Sequence, residues 1–350
     1  MQHSNFTRIS VVICVWTLIL TIVSGNPTLS FNTKETVLIV GAGPAGLSLA
    51  LGLSRLGWKV RVFEKRLDLM TRGGAIVGIA PNGLKALEEL HSGLRDKIMS
   101  LSQGSGPSRS MPWCTMRDVL LEEALKEKNI IIETGKCLED IIEGEEGVTA
   151  TFRSVDDISS DVEEESMVKI DGAFIVAADG VKSTARRILN LHESTPTGSK
   201  IFRGTVDFQS DDECVDDKEM HDYRNALLNL KRAIRVKVPT DNRFLLLVVS
   251  FDHIIPGRVC WICHTTKDVS VYDGSDNIAL TLAEMSAANH EDWPMIRFLL
   301  SQSTNDFSFT ETRLVTFSDK ELASFNGRWG GTVSLCFGSL CHFVLSDTAI

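Results

Sequence analysis

The sequence predicts an α/β protein in two parts, a Rossmann-type unit near the N-terminus followed by a second, β-sheet-rich domain. Two observations predict it. From Thr36 an apolar run, a glycine turn, a helix-period stretch and an alternating stretch follow one another as a βαβ opening, and from about Lys200 to Leu322 strand-like stretches predominate. The chain of 350 residues is long enough for roughly two domains, each with a buried core.

The elements follow in order. Val37–Val40 is a buried strand, the helical stretch after it runs to Leu56 and is stopped by Gly57, and Lys59–Phe63 alternates as a second strand. A strand around Ala75–Ala80 leads through Pro81-Asn82-Gly83 into a helix over Leu84–Leu90. Thr115-Met-Arg-Asp118 has the spacing of a capping box that opens a helix reaching about Lys128, with Ile130–Glu133 a short buried strand behind it. Between Cys137 and Ile170 two or three strands form a hairpin, and the acidic run Asp156 to Glu165 is its solvated tip. Ala173–Ala178 is a buried strand, Asp179-Gly180 ends it, and Ser183–Leu189 is helical. Farther on, Ala233–Val238 and Phe244–Ser250 are strands, with one clear helix around Ile278–Ala288. The expected boundaries are 36–195 for the first part of the Rossmann-type domain, 196–325 for the sheet-rich domain, and 326–350 for a return to the first.

Composition narrows the partners. With 46 acidic and 36 basic residues and a net charge of -10, the chain lacks the basic footprint that nucleic-acid phosphates require. Residues 1–25 have signal-peptide anatomy: Arg8, an apolar run from Val11 to Val23 broken only by Thr17 and Thr21, then Ser24-Gly25. That run is shorter than the roughly 20 residues of a comfortable membrane span. Cleavage after Gly25 is therefore the first expectation, and an uncleaved signal anchor that associates the chain with a membrane is the second. Either places the protein in the secretory pathway, in the lumen or on the membrane of the endoplasmic reticulum. Of eight cysteines, Cys14 lies in the apolar run, which leaves an odd number and argues against a fully paired disulfide framework. Cys260-Trp-Ile-Cys263-His264 has the spacing used to attach c-type haem, but it stands in an apolar, strand-like stretch, Arg258 to Thr265, and reads as structural. No metal site is expected.

The segment that carries chemistry is Val37-Leu-Ile-Val-Gly41-Ala42-Gly43-Pro44-Ala45-Gly46, in which G-x-G-x-x-G follows a strand and opens a helix. Gly41 permits the tight turn, Gly43 lets the backbone approach a pyrophosphate, and Gly46 permits close packing of helix on strand. The helix N-terminus then offers free amides and a positive dipole to phosphate, and Pro44 suits a first turn, where a missing N–H costs nothing. Glu64 ends the second strand about 20 residues on, where a carboxylate can accept hydrogen bonds from both ribose hydroxyls. An acid there suits the unphosphorylated ribose of FAD or NAD and argues against NADP at this site.

With these residues in view, the chain resembles the flavoprotein monooxygenases of the para-hydroxybenzoate hydroxylase type, FAD-dependent aromatic-ring hydroxylases that include salicylate hydroxylases, kynurenine monooxygenases and zeaxanthin epoxidases. Four segments in family order carry the likeness: Gly41–Gly46 with Glu64-Lys65-Arg66; Gly74–Gly83; Arg117–Leu125; and Ala178-Asp179-Gly180-Val-Lys-Ser183-Thr-Ala-Arg186. The resemblance implies a Rossmann-type FAD-binding domain with a sheet-rich substrate domain. It also places Arg117 near the flavin's ribityl chain and pyrophosphate, where a guanidinium suits phosphate oxygens. It brings the Asp179-Gly180 loop toward FAD and the nicotinamide reductant, and Phe202-Arg203-Gly204 resembles the start of the family's substrate sheet.

The implied activity is oxygen transfer from O2 to a small aromatic or polyene substrate, with FAD as cofactor and NADPH or NADH as reductant. No residue reads as an acid-base pair for substrate. Where the family has Gly-Asp-Ala-Ala-His, this chain has Gly338-Ser-Leu-Cys-His342, so Ser339 stands in place of the acid that holds the ribityl chain, and the sequence ends at Ile350, before the segment that would cover the flavin ring. Two further expectations therefore stay open: an FAD-binding protein, impaired or truncated, without turnover, and an FAD-dependent reductase on the same fold. Residues 1 to 30 fused to a reporter are expected to carry it into the secretory pathway, and a wholly cytosolic reporter would remove that expectation.

Overall fold

The computed structural model of the chain describes residues 36–69, 76–104, 106–144, 147–155, 167–180, 182–189, 195–208, 218–237, 245–265, 291–303, 307–314 and 333–335. The N-terminal apolar segment, Gly74-Ala75, the acidic run at 156–165, the helix expected at 278–288 and the motif at 338–342 lie outside them. Among the described residues no helix is long and apolar enough to cross a membrane.

The βαβ opening is present as β1 (Thr36–Val40), α1 (Pro44–Arg55) and β2 (Lys59–Phe63), with the strands parallel and paired from Thr36↔Lys59 to Val40↔Phe63. β9 (Phe174–Ala177) flanks β1 on its other side, β5 (Ile130–Glu133) lies beyond β2, and β15 (Val333–Leu335) lies beyond β9, giving a parallel sheet in the order β15-β9-β1-β2-β5. Val37, Leu38 and Ile39 are all fully buried because both faces of β1 are covered, which is why this strand is uniformly apolar rather than alternating.

Helices cover one face. Val37, Ile39, Val60 and Val62 pack with Leu47 and Leu51 of α1 and with Leu120 and Ala124 of α4 (Trp113–Lys126). On the other face Leu38, Val40 and Phe63 meet Leu138, Ala150, Phe152 and Ile170 from a three-stranded antiparallel sheet of β6 (Lys136–Glu143), β7 (Val148–Ser154) and β8 (Met167–Gly172). The Phe63 and Phe152 rings stack at 4.1 Å between centroids. Each such side chain stabilises the fold by roughly 1.5–3 kcal/mol on burial, so this alternate sorting of β1 and β2 side chains fixes their register. Two helices, α2 (Pro81–Leu90) and α3 (Leu94–Ser100), and a ribbon of β3 (Ile76–Ile79) with β4 (Arg109–Pro112) complete this part.

The second sheet is antiparallel, in the order β11-β12-β13-β10-β14, built from β10 (Thr195–Asp207), β11 (Ile234–Lys237), β12 (Leu245–Ser250), β13 (Arg258–Thr265) and β14 (Phe307–Leu314). On one face Phe202, Val206, Leu246, Val248 and Trp261 pack against α6 (Lys218–Leu228) and α7 (Trp293–Gln302) through Leu227, Ile296 and Leu299. The Trp261 indole donates from Nε1 to Ser303 Oγ at 2.8 Å, which satisfies an N–H whose burial without an acceptor would cost about 1–3 kcal/mol. On the opposite face Val249, Phe251 and Cys260 cluster with Ile76 of β3, joining the sheet to the first part of the molecule.

Several expectations need correction. Thr115–Asp118 is not a cap: the helix starts two residues earlier at Trp113, directly from β4, and Pro112 at its N-cap has no side-chain oxygen to offer. Ile130–Glu133 is a strand but not a buried one, because β5 is the sheet's last strand on that side and Ile131 is 56% exposed. Two helices of the second part were not expected. α6 buries only Leu227, so its apolar signal is thin, and α7 carries a proline in its first turn that reads as a break. Cys260 and Cys263 are three apart on one strand and so point to opposite faces, into different apolar clusters, while burial pushes both thiols well above the usual cysteine range. A haem attached through both is thereby ruled out, and the pair is structural as expected.

Candidate functional site

The site begins at the loop between β1 and α1. Gly41 has φ +105°, and a Cβ on it would stand 2.5 Å from the carbonyl oxygen of Ala178, so only glycine lets the loop press against the end of β9. A Cβ on Gly46 would stand 2.0 Å from the Gly41 carbonyl oxygen, which is the close packing of helix on loop that the motif requires. Gly43 is different: nothing lies within 4 Å of the place its Cβ would occupy. Gly43 is also the N-cap of α1 and supplies no capping side chain, Pro44 follows it in the first turn, and Ala45 is partly exposed behind them. The amides of this helix start are thus uncapped beside open space, the arrangement that holds a phosphate.

Glu64 closes the loop from the end of β2. Its Oε2 accepts from the Ala42 amide at 3.0 Å and its Oε1 from the Arg66 amide at 3.0 Å, tying the glycine loop to the segment after the second strand. Each carboxylate oxygen has a second lone pair, so these two bonds leave acceptors for a ribose diol. Lys65 is exposed beside it. The sequence predicts only the ribose contact; the bracing of Ala42 has no signal beyond the spacing of Gly41 and Glu64.

Asp179 and Gly180 sit where β9 ends, and Gly180 has φ +82°. The structure brings this loop against Gly41, whose Cβ position lies 3.2 Å from Asp179 Cα. The Asp179 carboxylate faces elsewhere: Oδ2 accepts from the amides of Thr184 at 2.7 Å and Ala185 at 3.1 Å, at the start of α5 (Thr184–Ile188). Ser183 Oγ accepts from the Arg186 amide at 3.0 Å, so the second fingerprint is a doubly capped helix start that holds the loop in place. What this loop presents beside Gly41 is backbone. Arg117 lies on α4, which shares the core of α1. Its side chain is buried, donates from Nη2 to Asp118 Oδ1 at 2.8 Å, and has its guanidinium 5.4 Å from the centre of the Trp113 ring. Gly41, Ala42, Gly43, Glu64, Asp179 and Gly180 therefore form one cluster, with Arg117 on the neighbouring helix.

A polar residue that the sequence marks only weakly lies in the second sheet. Arg203, on the β10 face opposite Phe202 and Gly204, has its Nε buried with no hydrogen-bond partner among the described residues. Its cross-strand neighbour is Ile262, which packs on the Ile76 side of the sheet. Among the described residues no group of three or more His, Cys, Asp or Glu side chains is placed to hold a metal.

Glycine loop, bracing acid and second sheet define an α/β dinucleotide-binding protein with an antiparallel partner sheet. Residues 34–255 match the family model described as an FAD binding domain, and the chain belongs to that family, the flavoprotein monooxygenases of the para-hydroxybenzoate hydroxylase type. It is similar to the FAD-dependent monooxygenase andE of Emericella variicolor, 27% identical over 278 residues that cover 75% of this chain and 57% of the relative. It is also similar to the FAD-dependent monooxygenase cdmI of Talaromyces verruculosus, 30% identical over 188 residues that cover 50% of this chain and 38% of the relative. The chain thus spans 38% to 57% of the length of these relatives. The fold matches the crystal structure of CtdE in complex with FAD and substrate 4 with a TM-score of 0.63 at 17% identity, over 86% of this chain and 73% of that one. It also matches 2-methyl-3-hydroxypyridine-5-carboxylic acid oxygenase in its tetrameric form with a TM-score of 0.58 at 18% identity, over 87% and 75%.

The cradle fits FAD: open space over Gly43 and uncapped amides suit the pyrophosphate, and the spare lone pairs of Glu64 suit the ribose. Glu64→Ala removes both the ribose acceptor and the Ala42 brace, and FAD affinity is expected to fall by about 10- to 100-fold, or about 1.5–3 kcal/mol. Titration of the purified variant with FAD, followed by flavin fluorescence, checks it; unchanged affinity would show that Glu64 contributes nothing to the site.

Proposed function

We propose that the chain is an FAD-dependent monooxygenase that uses NADPH or NADH and O2 to hydroxylate or epoxidise a small organic substrate, aromatic or polyene. The observation that carries this reading is the buried, unpartnered Nε of Arg203 on the face of the second sheet that turns toward the first part of the molecule. A buried donor without an acceptor costs about 1–3 kcal/mol, and a bound ligand that supplies the acceptor removes that cost. A phenolate, carboxylate or carbonyl oxygen of a substrate is such an acceptor.

FAD supplies hydride acceptance from the reduced nicotinamide and the activation of O2. The chain supplies the rest. The first-turn amides of α1 would hold the pyrophosphate, Glu64 the ribose, and the Gly41–Asp179 contact would keep the loop from opening. The apolar junction of Ile76 with Val249, Phe251 and Cys260 keeps water out between the two parts, which favours oxygen transfer over side reactions. Arg203 would fix the substrate's acidic oxygen and so set which carbon is presented.

The test mixes the FAD-loaded chain with NADPH or NADH under anaerobic conditions and then admits 18O2 with phenols, kynurenine and carotenoids in turn. One labelled oxygen in product per nicotinamide consumed is expected for an accepted substrate. Flavin reduction without labelled product across the panel would contradict oxygen transfer and favour a reductase. Arg203→Gln is expected to retain FAD and to raise KM for an acidic substrate by about tenfold or more; an unchanged KM would remove Arg203 from the substrate site.

A further inference from the structure

Arg258 is a charged residue only 2% exposed at the join between the two parts, and the monooxygenase reading gives it no task. It starts β13 opposite Asp207, the last residue of β10, and the two side chains form a two-pronged ion pair: Nε to Oδ1 at 2.6 Å and Nη2 to Oδ2 at 2.5 Å. Nη1 points the other way and donates to the Cys114 thiol at 3.5 Å. Cys114 belongs to the first turn of α4, one turn before Arg117, and is itself buried. Asp207 and Arg203 lie on the same face of β10, four residues apart, or roughly 13 Å along the strand.

These contacts lead from one half of the site to the other. We propose that Arg258 is a positioning residue: by gripping Cys114 while locked to Asp207, it sets the Arg203 face of the second sheet against the helix that carries Arg117. The part of the proposal that concerns Arg203 rests on the function proposed above; the grip itself does not.

Two physical facts favour alignment over bulk stability. The Arg258–Asp207 pair, with Asp207 30% exposed, adds only modestly to stability, but its two-pronged geometry fixes where the Arg258 guanidinium stands, and Nη1 carries that fix across to Cys114. The apolar contacts at the same junction, Ile76 with Val249, Phe251 and Cys260, tolerate sliding, because they have no preferred direction. Among the described residues another directional tie across the join runs from Gln103 Nε2 to the Leu230 carbonyl oxygen at 3.1 Å. A thiol is a weak acceptor, so the grip on Cys114 holds the register of the two parts without fusing them.

The test uses the full chain and three variants. Arg258→Met keeps the volume and removes the grip, Cys114→Ala removes the acceptor and leaves the ion pair, and Cys114→Ser restores an oxygen acceptor. Amide hydrogen exchange across residues 113–117, measured without cofactor, reports the grip directly. Arg258→Met is expected to speed exchange there by about tenfold, Cys114→Ala to speed it in the same direction, and Cys114→Ser to return it to the parent rate. In the FAD-loaded protein the visible circular dichroism of the flavin is expected to change in Arg258→Met and to match the parent in Cys114→Ser.

Parent-like exchange in both Arg258→Met and Cys114→Ala would overturn the proposal. If Arg258→Met does not fold, the Cys114 pair decides alone: faster exchange with alanine and recovery with serine supports the grip, and equal rates sink it. Failure of the chain to bind FAD would contradict the proposed function while leaving the exchange result to judge Arg258.

Discussion

The carbonyl oxygen of Gly41 occupies the space into which any side chain at position 46 would have to grow. That contact, repeated in the approach of Gly41 to the Ala178 carbonyl, draws the β1–α1 turn, the first helical turn and the end of β9 into one tight knot. Beside this knot the α1 start has no side-chain cap, and the space over Gly43 is open. The knot brings Ala42 within reach of Glu64, so that the acid that would read the ribose is held by the loop it supports. The doubly capped start of α5 then keeps the Asp179-Gly180 backbone against the knot from the other side.

The second sheet meets the first part of the molecule away from this knot, at Ile76 of β3 and Cys114 of α4. Strand alternation in β10 divides the second sheet: Phe202 and Val206 join α6 and α7 in an apolar layer, while Arg203 and Asp207 turn to the other face. Two arginines act on this face in different ways, half-buried Arg203 on β10 itself and buried Arg258 opposite Asp207. Arg258 pairs with Asp207 and bonds to Cys114 across the join, whereas Arg203 Nε has no hydrogen-bond partner among the described residues.

The first half of this architecture was legible because local chemistry and tertiary role coincide there. Val37–Val40 is apolar on both faces, Gly41 and Gly46 stand where only glycine fits, and Glu64 ends its strand at the spacing of a ribose acid. Legibility failed where the deciding neighbour is distant in sequence. Thr115 and Asp118 have capping-box spacing, yet β4 runs straight into the helix and moves its start to Trp113. Ile130–Glu133 has the apolar content of a central strand but lies at the edge. Asp179 carries the family's signature, and its carboxylate turns out to cap a helix rather than face the cradle. Arg258 had no local signal, because its partners Asp207 and Cys114 are 51 and 144 residues away.

The open space over Gly43 and the uncapped start of α1 suit the pyrophosphate of an FAD cofactor. A crystal structure of the full chain grown with FAD tests it most directly. The pyrophosphate is expected against the amides that follow Gly43, with a ribose hydroxyl on Glu64 and the Glu64–Ala42 bond intact. FAD bound elsewhere, or a cradle left empty at saturating FAD, would contradict it.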